Sequence, residues 1–334
     1  MTATVSPDRI LKELAELWVS MGKQGEGDAS AGVLRACSMT LLVLAEESDD
    51  LSALGETIAA LMPEHPARAI VVRLIGGEER ALTERVYSQC WMPFGQRRQI
   101  CCEQIELTAS DASLEDLPSV VLPLSVPDLP LILWCRTARI LGMPGFYRIA
   151  AMARKVIVDS AQVSDSVAAI LRMAVVSQTG GVLLGDLSWT RLTRWRETLS
   201  QLFENPEYLA QLPKIERVQV QSGEAHEVAA RLMAVWITNC LAEAGVHAYP
   251  EVTAGGPDAT SLRLELDGPG LNVVLTREQE RLVMTVNGVA NATNLPLPTD
   301  YMLMREELSI VRPDPVFHKT LATAASHAYP TDSV

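Results

Sequence analysis

The stretch "VLRACSMTLLVLAE", residues 33–46, opens a strand–helix–strand pattern that decides the fold class. It is typical of a long strand that ends in an apolar, core-like run. The next stretch, "DDLSALGETIAALM" at residues 49–62, predicts a helix with Asp49 or Asp50 as its N-cap. A buried strand, "ARAIVVRLI", follows at residues 67–75. Because the connections are short, the two strands are predicted to run parallel in one sheet.

Two alternating stretches come next, at residues 81–93 and 97–109, separated by "FGQ". They predict an antiparallel hairpin. Helices and buried strands then alternate, with helices predicted at 113–124, 146–154 and 164–178 and strands at 129–136 and 155–161. This alternation predicts an α/β domain with a mixed, mostly parallel sheet flanked by helices.

The pattern changes after residues 203–214, which are typical of a domain junction. A strand, a long helix ended by Gly245 and three alternating strands follow. A further strand is predicted near "YMLMREELSIV", residues 301–311, before a short C-terminal helix. These elements predict a smaller α+β domain with an antiparallel sheet. The predicted organisation is an N-terminal helix and Gly-rich linker at 1–28, the α/β domain at 29–205 and the α+β domain at 206–334.

The formal net charge of −13 argues against binding to nucleic acid or to an anionic membrane surface. The N-terminus has no continuous apolar stretch of the kind a signal peptide needs. The most apolar window, residues 117–135, contains four prolines and Asp128, which a spanning helix rarely tolerates. We therefore expect a cytoplasmic protein.

Motifs that carry chemistry are missing from the sequence. It has no G-x-G-x-x-G after the first strand, no G-x-S-x-G and no pair of histidines at zinc-ligand spacing, so no catalytic residue, cofactor or metal is predicted. His226 is expected in the first turn of a helix. The six cysteines form no C-x-x-C pair and are predicted to be reduced thiols, mostly in the core.

Asp159 and Ser160 follow a buried strand, at the end of the strand where α/β folds bind ligands. The same position is also a common one for helix caps, and the cap is the favoured interpretation. The nearby glycines of "TGGVLLGDLS" lack the lysine and the spacing of a phosphate-binding loop, so a loop with a helix cap is favoured there too.

The stretch "GDLSWTRLTRWRETLSQLF", residues 185–203, predicts one helix capped by Asp186 or Ser188. Its apolar residues recur at helical spacing and form a stripe that faces a core: Leu192, Trp195, Leu199 and Leu202. Three arginines would lie in the first turns, where the helix macrodipole disfavours cations: Arg191, Arg194 and Arg196. Arg194 can pair with Glu197, and Asp186 is within reach of Arg191. The cluster suits either internal salt bridges or a bound partner.

The segment "DLSWTRLTRWRETL" resembles the signature of the glucose-6-phosphate dehydrogenase assembly protein family (OpcA). The resemblance extends, in the same order, to "RAIVVRL", "ICCEQIEL", "LPSVVLPLSVPDLPLILWCR" and "KVIVDSA". It implies a non-enzymatic protein that binds the oligomeric glucose-6-phosphate dehydrogenase of the oxidative pentose phosphate pathway. It would promote assembly or activity of that enzyme, as an allosteric activator through a protein–protein interaction.

The resemblance implies a family signature in these segments, which serves either contact with the dehydrogenase or the fold, and the arginine cluster adds Arg194 to it. We take eight residues as partner-binding candidates: Asp186, Trp189, Thr190, Arg191, Arg194, Arg196, Trp134 and Arg136. Arg194 departs from the family, which often has proline there. No cysteine follows Cys240, so the thiol regulation of some members is not carried over.

The alternative is a small-molecule-binding α/β protein or an uncharacterised enzyme that takes a sugar phosphate or a nucleotide. Its site would lie beyond Asp159 and Ser160, with the arginines holding a phosphate. The sequence predicts no oligomeric state for the chain itself.

Overall fold

The computed structural model describes residues 6–24, 34–35, 37–91, 100–137, 139–255 and 258–328. The predicted "FGQ" turn and most of the predicted Gly-rich linker lie outside these ranges. The helices are α1 (Pro7–Gln24), α2 (Leu51–Leu61), α3 (Leu117–Leu124), α4 (Pro144–Ala150), α5 (Ser166–Ser177), α6 (Leu187–Arg191), α7 (Thr193–Leu202), α8 (Pro206–Leu209), α9 (Glu227–Glu243), α10 (Asp300–Ser309) and α11 (Pro315–Ala328).

The strands form two sheets. The first sheet contains β1 (Leu34–Arg35), β2 (Met39–Glu46), β3 (Ala67–Ile75), β4 (Leu82–Trp91), β5 (Ile100–Ser110), β6 (Leu131–Cys135), β7 (Lys155–Val158) and β8 (Leu183–Asp186). The second contains β9 (Arg217–Ser222), β10 (Pro250–Ala254), β11 (Leu262–Gly268), β12 (Leu271–Glu278), β13 (Arg281–Val286) and β14 (Val289–Asn294).

The first sheet has the strand order β1-β5-β3-β2-β6-β7-β8, with β4 paired to β5. Strand β2 runs parallel to β3 on one side and to β6 on the other, so that Leu42 stands opposite Ile70 and Leu133. All three side chains are fully buried. Strand β4 is antiparallel to β5. The predicted mixed, mostly parallel sheet is confirmed, as is the antiparallel pairing of the two strands predicted for the hairpin.

Helix α2 links β2 to β3 as the sequence predicts. The Asp50 carboxylate caps it, accepting from the backbone amides of Ser52 at 2.9 Å and Ala53 at 3.2 Å. Its inner face is buried at Leu54 and Ile58. A capped amphipathic helix between two buried strands is the arrangement that favours a parallel pair.

The segment predicted as a strand near residues 301–311 is helix α10, so that prediction is wrong. Its buried positions, Leu303, Met304, Glu307 and Leu308, follow helical spacing. Glu307 is the charged member of that stripe, and its charge hides the apolar helical spacing in the sequence. Glu307 is 3% exposed and pairs with the equally buried Lys155 of β7, with Nζ and Oε2 2.8 Å apart. Strand β8 was also missed, because its four residues are too few to show a period.

The second sheet has the order β10-β9-β11-β12-β13-β14. Its pairs are antiparallel except for β9 with β10, so the predicted antiparallel sheet is confirmed with one parallel pair added. One face is apolar, with fully buried residues such as Val220, Leu264 and Leu275. Strands β10 and β14 were missed, because neither shows a buried alternation: β10 is partly and β14 wholly exposed.

The chain folds into two compact units that are each discontinuous in sequence. The first comprises the residues up to Val158 together with Gln178–Gly185 and Asp300–Ser309. The second comprises Asp159–Ser177, Asp186–Thr299 and the residues from Ile310 onward. The predicted domains are contiguous, with boundaries at 28/29 and 205/206, and these boundaries stay a prediction.

Two further expectations concern membranes and thiols. Among the residues described, no helix is both long and apolar enough to cross a bilayer. Cys135 is buried and Cys37 half-buried, whereas Cys240 is exposed on α9, so the core prediction is wrong for Cys240. The side chains of the other three cysteines lie outside the described part of the structure.

Candidate functional site

Residues 185–203 form two helices, α6 and α7, rather than the single predicted helix. Leu192 separates them, with φ −86° and ψ −5°. At this point the Trp189 carbonyl accepts hydrogen bonds from the Leu192 amide at 3.0 Å and from the Arg196 guanidinium at 2.8 Å. A tightened turn and a side-chain donor therefore close α6. The predicted apolar stripe is confirmed, since all four members are buried: Leu192, Trp195, Leu199 and Leu202.

The break changes how the arginines relate to the helix dipoles. Arg191 lies in the last turn of α6, where partial negative charge favours a cation. The prediction that Arg191 opposes the macrodipole is therefore wrong. Arg194 and Arg196 do lie in the first turn of α7, as predicted.

Asp186 is the N-cap of α6 and is fully buried. Its carboxylate accepts from the Ser160 amide at 2.9 Å, the Ser160 hydroxyl at 2.8 Å and the Ser188 amide at 3.2 Å. Burial raises the pKa of this carboxyl to about 7, although the hydrogen bonds from Ser160 and Ser188 act in the opposite direction. The Thr190 hydroxyl donates to the Asp186 carbonyl at 3.0 Å, which also fixes the first turn.

Arg191 forms a two-pronged ion pair with Asp159. Its Nη1 and Nη2 lie 2.7 Å and 2.8 Å from the two carboxylate oxygens. Asp159 also accepts from the Ala161 amide at 3.3 Å, which confirms the predicted cap. His226 is the N-cap of α9, one residue before the first turn in which it was predicted to lie, and burial is the main cause of its lowered pKa. The phosphate that the alternative function assigns to Arg191 would compete with this internal carboxylate.

Trp189 and Arg196 pack on each other. The guanidinium carbon of Arg196 lies 3.6 Å from the centroid of the Trp189 ring, a cation–π contact. Trp189 is 3% exposed and its Nε1 donates to Asp314 at 3.0 Å. Phe317 covers the ring at a centroid distance of 5.5 Å. These contacts hold α6 against the start of α11.

The second group of candidates, Trp134 and Arg136, lies at the end of β6. Trp134 is 1% exposed, and the Arg136 guanidinium stands 4.9 Å from its ring centroid. Arg136 pairs with Asp49 at 3.3 Å and with Asp300. The turn before β6 includes Asp128 in the left-handed region, at φ 63°.

Only one of the eight candidates is exposed. The side chain of Arg194 is 72% exposed and pairs with Glu197 at 2.9 Å, as the sequence predicts. Four are buried and three are half-buried: Asp186, Trp189, Thr190 and Trp134 in the first set, Arg191, Arg196 and Arg136 in the second. That the eight contact a partner stays a prediction.

Sequence reasoning missed an ionic cluster at the carboxyl end of β2, where α/β folds bind ligands. Arg139 pairs with Glu46 at 2.9 Å and with Asp111. Burial alone would raise the pKa of Glu46, but hydrogen bonds from Arg139 and Thr137 leave it below its usual value. The sequence feature that marks this cluster is the acidic run "EESDD", residues 46–50. It begins at the end of β2, at the position where dinucleotide-binding folds carry glycines. Over the described ranges, no three His, Cys, Asp or Glu side chains are grouped so as to hold a metal ion.

Two family models match consecutive parts of the chain. One describes the N-terminal domain of a glucose-6-phosphate dehydrogenase subunit and matches residues 58–175. The other describes the C-terminal domain of the same type of protein and matches residues 183–321. Between them they account for most of the sequence.

Curated relatives are provisionally named OxPP cycle protein OpcA. The protein from Nostoc punctiforme is 30% identical over 180 residues, which are 53% of this chain and 38% of the relative. The protein from Synechocystis sp. is 24% identical over 228 residues, 65% of this chain and 47% of the relative. The chain thus spans about half or less of the length of these relatives.

Among solved structures, an oxidoreductase from Sinorhizobium meliloti is similar in fold. The TM-score is 0.50 at 10% sequence identity, over 86% of this chain and 95% of that one. At this identity the likeness concerns the fold alone.

The ion pairs predict different roles for neighbouring arginines in stability. Arg191→Ala leaves the Asp159 carboxylate without its two-pronged partner, so we expect a loss of about 1–3 kcal/mol in the free energy of unfolding. Arg194→Ala removes only the exposed ion pair with Glu197, one helical turn away. We therefore expect a loss below about 0.5 kcal/mol in the free energy of unfolding. Urea denaturation of both variants and the parent measures the difference. Equal losses would contradict the internal role of Arg191.

The raised pKa of Asp186 predicts that the free energy of unfolding depends on pH. Its folded pKa of about 7 lies above the ordinary value of 3.8, so between these values the native state keeps a proton that the unfolded state has lost. The parent therefore loses stability from this group as pH rises through that window. Asp186→Asn cannot titrate, so the stability advantage of the parent should shrink between pH 5 and pH 8. Urea denaturation across this range measures it, and parallel curves for both proteins would refute the assignment.

Proposed function

Because this chain belongs to the OpcA family of glucose-6-phosphate dehydrogenase assembly proteins, we propose that it is a non-enzymatic activator of glucose-6-phosphate dehydrogenase. In this proposal it binds the dehydrogenase in the cytoplasm and favours the active oligomer or conformation of that enzyme. The observation that carries the proposal is the match of both family models, in order, to residues 58–175 and 183–321.

The carboxyl end of β2 supports a role other than dinucleotide chemistry. An anion such as a pyrophosphate binds at a helix N-terminus through free backbone amides. At α2 the Asp50 carboxylate already accepts from the amides of Ser52 and Ala53. Glu46 and Asp49 add negative charge beside it and hold Arg139 and Arg136 in ion pairs. A bound pyrophosphate would have to displace one carboxylate and approach two more.

Activation without chemistry requires differential binding. A partner shifts an equilibrium between two enzyme conformations only by the ratio of its affinities for them. The chain would therefore bind the active form of the dehydrogenase more tightly than the inactive form. This mechanism needs a rigid docking surface but no catalytic group.

We propose the outer side of α7 as one part of that docking surface. Arg194, Glu197 and Gln201 are exposed there, while Trp195 and Leu199 anchor the inner side in the core. The buried candidates Asp186, Trp189 and Thr190 would act by fixing α6, which leads directly into α7. Arg191 fixes the preceding helix α6 through Asp159, and Arg196 ties the first turn of α7 to Trp189 of α6.

The proposal predicts an effect on the rate of the dehydrogenase. Adding this chain to the dehydrogenase of the same organism should raise the rate, most strongly at glucose 6-phosphate concentrations below saturation. The measurement is the formation of NADPH across a range of substrate concentrations. An unchanged rate together with no complex in sedimentation would overturn the proposal. If sugar phosphates or nucleotides raise the melting temperature of this chain alone, the small-molecule alternative gains support.

The docking surface has its own test. Arg194→Glu reverses the exposed charge on α7 and should weaken binding to the dehydrogenase by on the order of tenfold, the size typical of a hot-spot residue. Arg312→Glu reverses another exposed arginine of the same unit and serves as the matched control. Circular dichroism checks that both variants fold. If the two variants bind the dehydrogenase equally tightly, α7 is not part of the docking surface.

A further inference from the structure

The last strand of the second sheet lies in an unusual part of the sequence. The chain has 28 Lys and Arg residues and 41 Asp and Glu residues, yet residues 282–299 contain no charged side chain and no histidine. This run covers most of β13, the turn after it, β14 and the residues up to Thr299. An uncharged run of this length makes an uncharged surface wherever it is exposed.

Strand β14 is such a surface. It forms one edge of the sheet and pairs only with β13 among the described strands. All six of its residues are exposed, so neither face of the strand is covered. Edge strands in soluble proteins usually carry a charge, a proline or a bulge that prevents pairing with another chain. Strand β14 has no such protection along its length.

The turn before β14 determines which backbone groups face outward. Asn287 and Gly288 have φ values of 49° and 85° and form a two-residue hairpin turn of the primed type. In such a hairpin the residues that flank the turn, Val286 and Val289, exchange hydrogen bonds. Pairs then alternate along an antiparallel ladder. The amide and carbonyl groups that point away from β13 therefore belong to Ala290, Ala292 and Asn294.

We propose that β14 pairs antiparallel with β14 of a second copy of this chain, about a two-fold axis beside Ala292. Ala292 then faces Ala292 of the other copy, and Ala290 faces Asn294. The three outward residues of each strand form up to about six backbone hydrogen bonds in this register. The two sheets join into one continuous sheet, which removes both exposed edges.

The two-fold register and the ends of the strand favour a second copy as the occupant. Two chains of net charge −13 repel each other as whole molecules, and the uncharged residues 282–299 add no charge to that repulsion at this edge. The proposed two-fold also brings Val289 of each copy toward the Leu295–Leu297 end of the other. Val289 is 66% and Leu297 64% exposed in the single chain. Pairing covers an apolar side chain at each end of the strand.

The prolines after β14 limit the contact to this strand. Pro296 and Pro298 have no amide hydrogen and cannot extend the ladder as donors. The dimer contact is therefore confined to a short two-stranded seam with one apolar contact at each end.

A proline at the axis tests the pairing. Ala292→Pro deletes an outward amide at the two-fold without removing a hydrogen bond to β13, so the fold should persist. Ala292→Ser keeps the amide and serves as the matched control. Analytical ultracentrifugation of the full chain should show the mass of two chains for the parent and for Ala292→Ser. For Ala292→Pro we expect the dissociation constant of the dimer to be at least tenfold higher than that of the parent. Its melting curve should match that of the parent at concentrations where the parent is a monomer.

Three results would overturn the proposal. One is a parent that sediments as a single chain at all concentrations up to the solubility limit. Another is an Ala292→Pro variant that is folded and dimerises as tightly as the parent. The third is a monomeric parent whose binding to the dehydrogenase is lost in Ala292→Pro, which would assign the strand edge to the partner enzyme. If Ala292→Pro fails to fold, Ala292→Lys provides the same test by placing like charges together at the axis.

Discussion

An anionic ligand of an α/β fold binds to backbone amides and arginines. In this chain, internal carboxylates already bind groups of both kinds. Asp50 takes the first amides of α2, and Asp186 takes the Ser188 amide at the start of α6. Asp159 takes both prongs of Arg191. Because each of these groups is already bonded within the chain, the surrounding loops are fixed without a ligand. The same bonds determine where α2 and α6 begin.

Most of the first sheet could be predicted from the sequence, because β2, β3, β6 and β7 are apolar runs with helices between them and the stretches of β4 and β5 alternate. The helix break at Leu192 could not, because it depends on the Arg196 guanidinium reaching back to the Trp189 carbonyl. Helix α10 was mistaken for a strand because Glu307 interrupts its apolar stripe. The partner that permits this burial, Lys155, lies 152 residues earlier in the chain. Periodicity describes local geometry and carries no information about such distant pairs.

The candidate site was predictable to a similar degree. The apolar stripe and the Arg194–Glu197 pair follow from spacing within one helix, and both are present. The Asp159–Arg191 pair and the packing of Trp189 on Phe317 join residues that are far apart in sequence. The arginine cluster could not be explained from the sequence because its partners come from other segments. The fold thus explains two of the three arginines, Arg191 and Arg196, through internal partners, whereas Arg194 is exposed.

The most direct test of the account is thermodynamic linkage between this chain and the substrate of the dehydrogenase. If the chain favours the active conformation, each ligand must tighten the binding of the other by the same factor. Calorimetry should measure a lower dissociation constant for the complex of chain and dehydrogenase when glucose 6-phosphate is saturating. That factor should equal the one by which the chain lowers the dissociation constant for glucose 6-phosphate. Binding of equal strength with and without the substrate, alongside an increased rate, would contradict a shift in conformation as the basis of activation.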